Sequence, residues 1–210
     1  MKNAIASFAV VLASLFSLAN TAVTTTAPKQ ATKATAIFAG GCFWCMQPPF
    51  DRLKAKGVIS TSVGYSGGHT DKPTYQQVSD GSTGHKEVIE ITYNPQRISY
   101  DELLTVFWTN IDPYDQKGQF CDKGEQYQSA IYYQTEDEKK LAQASKEKLL
   151  KGGVLKGEVA TLILAAKPYF AAEDYHQAYY EKNPIRYKFY RGNCGRDKRL
   201  SEVWGKAAAH

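Results

Sequence analysis

An apolar run containing β-branched residues, "KATAIFAGG" at 33–41, stops on two glycines and passes at once into "CFWCMQPPFDRLKAK". There the apolar residues Phe43, Trp44, Met46, Phe50 and Leu53 recur close to helical period. The first segment reads as a strand ending in a tight turn. The second reads as a helix whose Pro pair fits its opening turn. This strand–turn–helix unit constrains the chain more than any other stretch, because it commits the domain to helices packed on a sheet and puts Cys42 at or just before a helix N-terminus. Unsatisfied N–H groups and the helix dipole favour an anion there, so the spacing predicts a thiol that ionises readily.

The same grammar continues downstream. "VISTSVGY" from Val58 reads as a strand, and "GYSGGHTDKPTYQQVSDGSTGH" as a long Gly/Ser/Thr-rich loop of the kind that carries function. "KEVIEITY" at 86–93 alternates and predicts a half-buried strand, and "SYDELLTVFWTN" opens with a helix cap and a Glu three residues on. A second polar loop, "IDPYDQKGQFCDKGEQYQS", leads to strand "AIYY", helix "EDEKKLAQASKEKLLK" and strand "EVATLILAA". A short helix is expected in "AAEDYHQAYYEKNP". The pattern predicts an α+β fold: a two-layer α/β sandwich of ferredoxin-like type with long functional loops and an irregular C-terminal arm at about 184–210.

The chain starts differently. Lys2 precedes "AIASFAVVLASLFSLA", an uncharged run of about 16 residues, short of the roughly 20 needed to span a bilayer. It reads as a secretory signal peptide over 1–19, with cleavage near Ala19 or Ala22, and a secreted or periplasmic protein is expected with no membrane insertion after signal removal. Residues 20–33 are Thr/Ala-rich and read as a flexible spacer before a single domain at 34–210. The net charge of +5 is spread along the chain except for the tail "RGNCGRDKR", which reads as solvated surface, so nucleic acid is not an expected partner.

Four cysteines, Cys42, Cys45, Cys121 and Cys194, allow three disulfide connectivities, and spacing does not choose among them. Cys42 reads either as a packed core thiol or as an exposed nucleophile. Phe43 and Trp44 read as core aromatics or as an apolar wall fit for a methyl or thioether group. Cys45, three residues on, reads as a resolving thiol or as a small apolar residue inside the helix. His85 and Glu87 flank the start of a strand, and Glu87 serves as a proton donor only where burial raises its pKa. Tyr75, Asp122 and Tyr127 lie in the two polar loops. No second Cys or His pair stands at ligand spacing, so a metal site is not expected.

Taken together and in order, "AIFAGGCFWC", "GYSGG", "PTY", "TGHKEV", "YDELL", "IDP", "GQFCDKGEQYQS" and "AEDYHQ" resemble the peptide methionine sulfoxide reductase A family. The resemblance implies that Cys42 attacks the sulfoxide sulfur and that Glu87 protonates its oxygen. Tyr75 and Tyr127 would bond that oxygen, Asp122 would hold the polar network around the thiol, and Phe43 with Trp44 would cradle the S-methyl group. The sulfenic acid left on Cys42 would condense with a resolving thiol, Cys194 in the C-terminal arm or its rival Cys45, before a thioredoxin-like dithiol, fed across the membrane, reduces the disulfide. Substrates would be methionine sulfoxide, free or in oxidised proteins or peptides, with no cofactor, no metal and a monomeric enzyme. The chain departs from the family pattern at Gln47, where Glu is usual, at Gln128, where Arg is usual, and at Cys45, where many members carry Gly. Two competing readings are a general thiol–disulfide oxidoreductase using Cys42 and Cys45, and a binding module with structural cysteines.

Overall fold

The computed structural model describes residues 32–205; the expected signal peptide and nearly all of the expected spacer lie outside the described residues. In chain order the elements are β1 (Ala34–Ala39), α1 (Phe43–Asp51), β2 (Val58–Ser66), α2 (Tyr75–Ser79), β3 (Lys86–Tyr93), α3 (Tyr100–Trp108), β4 (Gly118–Gln119), β5 (Asp122–Lys123), β6 (Ala130–Tyr133) and α4 (Glu136–Lys151). They continue with β7 (Leu162–Ala165), β8 (Phe170–Ala171), α5 (Tyr179–Lys182), α6 (Pro184–Asn193) and α7 (Arg196–Trp204). The fold is α+β with a mixed six-stranded sheet ordered β7-β6-β1-β3-β2-β8; β6 and β7 run parallel and the other neighbours antiparallel.

Alternation along β1 explains the layering. Ala36 and Phe38 point to one face and meet Met46 and Phe50 of α1, Leu103 and Phe107 of α3, Ala142 of α4, and Leu200 and Trp204 of α7. Ile37 and Ala39 point to the other face, where Val88, Ala130 and Tyr132 join them under Leu164, Ala166 and Tyr169. Helices α1, α3, α4 and α7 therefore share one apolar face of the sheet, and the chain around 164–169 covers the other.

Two sequence expectations change here. β3 is more buried than alternation predicts: it lies between β1 and β2, and on the side assigned to solvent Val88 packs under the 164–169 cover and Lys86 is buried with its ammonium donating to the Glu125 carbonyl and to Gln128, while Glu90 and Thr92 stay half-buried. The C-terminal arm is not irregular either. Pro184 opens α6 at its first turn, where its missing N–H costs nothing, and Arg196, Leu200 and Trp204 recur every four residues to dock α7 on the core. Gly195, in left-handed backbone at φ 69°, turns the chain between them.

The capping expected at Ser99 is present: its hydroxyl accepts from the Glu102 N–H while the Glu102 carboxylate accepts from the Ser99 N–H. Thr74 and Gln77 form a second capping box that starts α2 inside the segment expected to be a loop throughout.

The turn from β1 into α1 rests on Gly41, at φ 78°. A Cβ there would sit 2.5 Å from the Cβ of Gln119, whose amide is pinned to both backbone groups of Asp112. Gly41→Ala is therefore expected to destabilise the domain by roughly 2 kcal/mol or more, through strained backbone plus a contact that cannot yield. Urea unfolding read by tryptophan fluorescence measures it.

Candidate active site

Cys42 caps α1, and the backbone of the next residue fixes the centre: the Phe43 N–H donates to Oε2 of Glu87 at 2.9 Å, across from the start of β3. A carboxyl group thus occupies the anion-favouring position at the helix N-terminus that sequence reasoning reserved for the thiol. Cys42, Phe43, Trp44, Tyr75, Glu87, Asp122, Tyr127 and Tyr190 line one cavity of about 70 Å³. These include every residue that the resemblance placed at the sulfoxide, together with Tyr190.

Burial governs the charges. It pushes the Glu87 carboxyl up to about 8, against the pull of the Phe43 N–H and with repulsion from Asp122 adding to the rise. At neutral pH this acid holds a proton to give. Burial likewise raises the hydroxyls of Tyr75, to about 12, and of Tyr127, so both remain donors. Asp122 is raised by burial too, while the Tyr190 hydroxyl, which donates to its Oδ2, pulls it back.

The Cys42 thiol does not ionise as the helix start alone predicts. It is 6% exposed, makes no capping hydrogen bond with its side chain, and burial pushes it well up, with Cys45, Glu87 and Asp122 adding to the rise. Its helix neighbour Cys45 moves the opposite way, to about 7, held there by a hydrogen bond from Cys42 against its own burial and helped by Arg196 and Arg191. The two opposite shifts belong to the pair rather than to either thiol alone.

The apolar wall is held from behind. Trp44 donates from Nε1 to Nδ1 of His176 at 2.9 Å and stacks on Tyr179 with ring centroids 3.8 Å apart and 7° between planes. That hydrogen bond assigns the His176 proton to Nε2, which has no hydrogen-bond partner among the described residues and faces Glu173 Oε2 at 4.0 Å. Phe43 is both core and wall: it packs with Val63, Tyr65 and Val78 while closing one side of the cavity. Tyr75 stands over His176 at 4.4 Å, and its backbone N–H donates to Glu173, whose other oxygen accepts from the Tyr65 hydroxyl.

Cys194 is joined to Cys121 in a disulfide, and Cys42 and Cys45 are the free thiols. The bridge borders the cavity through Asp122, whose Oδ2 lies 3.9 Å from Cys194 Sγ, and Cys121 is exposed. Three other residues weighed in the sequence lie outside the cavity lining. His85 organises the loop before β3, with Nε2 2.7 Å from the Thr70 carbonyl and Nδ1 accepting from Gly68 N–H. Gln47 ties α1 to Thr61 and to the Ala178 N–H, and Gln128 ties Lys86 to the Gln116 carbonyl, so both departures from the family pattern are structural ties here. Sequence reasoning missed Tyr190 and His176. The first is one of fourteen tyrosines, and the second sits in a motif that carried the resemblance without indicating a role.

The family model described as peptide methionine sulfoxide reductase matches residues 34–208. The chain is 47% identical over 173 residues to a peptide methionine sulfoxide reductase MsrA of Bacillus subtilis (strain 168), a match covering 82% of this chain and 97% of the relative. Among solved structures it is similar to reduced Mxr1 from Saccharomyces cerevisiae, with a TM-score of 0.67, 31% identity and coverage of 77% of this chain and 92% of that one. It is also similar to methionine sulfoxide reductase A of Corynebacterium diphtheriae, with a TM-score of 0.63, 34% identity and coverage of 78% and 81%.

Proposed function

The chain belongs to the peptide methionine sulfoxide reductase family, and from that premise we propose the division of labour by which it reduces methionine sulfoxide to methionine. The observation that carries it is one cavity holding a thiol, a protonated carboxylic acid and an aromatic wall. Cys42 attacks the sulfoxide sulfur as a thiolate. Glu87 delivers its proton to the oxygen, with Tyr75 and Tyr127 donating to the same atom, and Phe43 and Trp44 hold the methyl group. The attack bonds Cys42 Sγ to the substrate sulfur; the protonated oxygen then passes to Sγ as the substrate S–O bond and that S–S bond break, so methionine leaves with the electron pair and Cys42 is left as a sulfenic acid.

Pyramidal sulfur presents oxygen, methyl and chain in a fixed hand. A pocket with its donors on one side and its apolar wall on another accepts one epimer, the (S)-S-oxide, and leaves the other to a separate enzyme.

Recycling uses the arm. Cys194 displaces hydroxide from the sulfenic acid, giving a Cys42–Cys194 disulfide and water, and Cys121 then attacks Cys194 and releases the Cys42 thiol. The Cys121–Cys194 bridge with both Cys42 and Cys45 free supports this order. An exposed Cys121 supports delivery of electrons by a thioredoxin-like dithiol. The leader-like residues 1–19 support export to an oxidising space, where such a donor must be supplied across the membrane. The inner strand order β6-β1-β3-β2 supports the finer reading of a two-layer sandwich of ferredoxin-like type.

Incubation of the purified chain and dithiothreitol with a racemic dabsylated methionine sulfoxide is expected to consume the S epimer and leave the R epimer. Consumption of neither, or of both equally, refutes the assignment. Mapping after one turnover without reductant is expected to return Cys121–Cys194, whereas Cys42–Cys45 as the end product would transfer resolution to Cys45 and favour the general oxidoreductase.

A further inference from the structure

Arg196 heads the fully buried side chains by size, at 1% exposure, yet it has no ion-pair partner among the described residues. The arginines on either side of it in sequence do: Arg191 pairs with Asp197 and Arg199 with Asp112. Nη2 of Arg196 donates to the carbonyls of Gly40 at 3.2 Å and Asn110 at 2.7 Å and to Met46 Sδ at 3.0 Å. Its Nε has no hydrogen-bond partner among the described residues, and its guanidinium lies 4.5 Å over the Phe120 ring. A permanent charge surrounded by neutral acceptors is costly to bury unless a negative group is near.

The positions of those acceptors say which group. Gly40 and Met46 bracket Cys42 and Cys45, so the cation of α7 sits behind the turn that presents both free thiols. We propose that Arg196 is the resident counter-charge of the active-site thiolate: a negative sulfur on the turn that this guanidinium backs offsets its burial, and Arg196 is a positioning residue of the centre.

The charged and titratable groups facing the thiol pair are few. Glu87 comes from β3, Asp122 from β5, Tyr75 from α2, Tyr127 from the turn before β6, Tyr187, Tyr190 and Arg191 from α6, and Arg196 from α7. Only the two arginines are positive, and Arg191 already has Asp197. The guanidinium backs the turn that carries both sulfurs, so either can be the anion it offsets. The proposal rests on reading Cys42 as the nucleophile, but its test reads no turnover, so the two stand or fall separately.

With the Cys121–Cys194 bridge left oxidised, iodoacetamide can alkylate only Cys42 and Cys45, and peptide mass spectrometry follows each against pH. Arg196→Met, which keeps the length and loses the charge, is expected to raise the midpoint by about one pH unit. Arg196→Lys should stay close to the wild-type midpoint. Superimposable wild-type and Arg196→Met profiles overturn the proposal.

Should Arg196→Met not fold, the reciprocal measurement decides. A thiol lowered in the folded state stabilises it above the unfolded pKa and loses that effect as pH falls through the folded value. The wild-type chain should therefore gain thermal stability over a Cys42→Ser, Cys45→Ala double variant as pH rises from about 6 to about 9. A difference that does not change with pH refutes the counter-charge.

Discussion

A Cys42→Ser chain is expected to lose methionine sulfoxide reduction by at least about 10⁴-fold while retaining its fold. The change replaces one atom at the cap of α1, leaves the Phe43 N–H bonded to Glu87, and swaps a sulfur nucleophile for a hydroxyl that the site cannot ionise. Burial already holds the thiol above its ordinary range, and an alcohol starts several units higher. Initial rates on the purified S epimer with dithiothreitol check this. A residual rate within tenfold of the wild type would shift the attack to Cys45.

Glu87→Gln is the second large effect, with kcat expected to fall by about 10² to 10⁴-fold. Glutamine fills the same volume and can still accept from the Phe43 N–H, but it has no acidic proton for the sulfoxide oxygen. The wild-type rate should decline as pH rises through about 8, where the donor is lost, and the variant should lack that limb.

Stability supplies an independent reading of the same residue. A carboxyl whose folded pKa is raised binds more protons folded than unfolded, so its contribution is intact below the unfolded value near 4.5 and is lost as pH rises towards about 8. Glu87→Gln should therefore be more stable than the wild type at pH 8 relative to the same comparison at pH 5, by a few kcal/mol at most. Equal pH–rate profiles, or no relative stabilisation at pH 8, would show that the carboxyl does not hold its proton as described.

Local patterns made much of this legible. The glycine-closed strand before Cys42, the helix start after it and the Ser99 cap are all determined by neighbours within a few residues, and each lies where the sequence puts it. Burial of β3 on both faces was not legible, because alternation describes one strand and the second cover comes from residues 164–169, far along the chain. The C-terminal helices were obscured for a different reason. Glycines and clustered charge suggested solvent, while the four-residue spacing of Arg196, Leu200 and Trp204 hid a charged residue at a core position. At the site, residue types pointed to a thiolate on Cys42, but desolvation of that thiol and its coupling to Cys45 depend on how deeply the turn is packed, which no local window records.

Glu87 stands on the strand with a neighbour on either side, whereas Cys121 and Cys194 stand on a surface loop and at the end of a surface helix. Backbone at the sheet centre opens only with the whole domain, while peripheral segments open locally and at much lower cost. On the proposed mechanism, the proton-donating step is thus built into the centre of the sheet and the step in which sulfurs trade partners into its periphery. A change at the periphery that alters the sulfur exchange should accordingly leave the carboxyl at the sheet centre undisturbed.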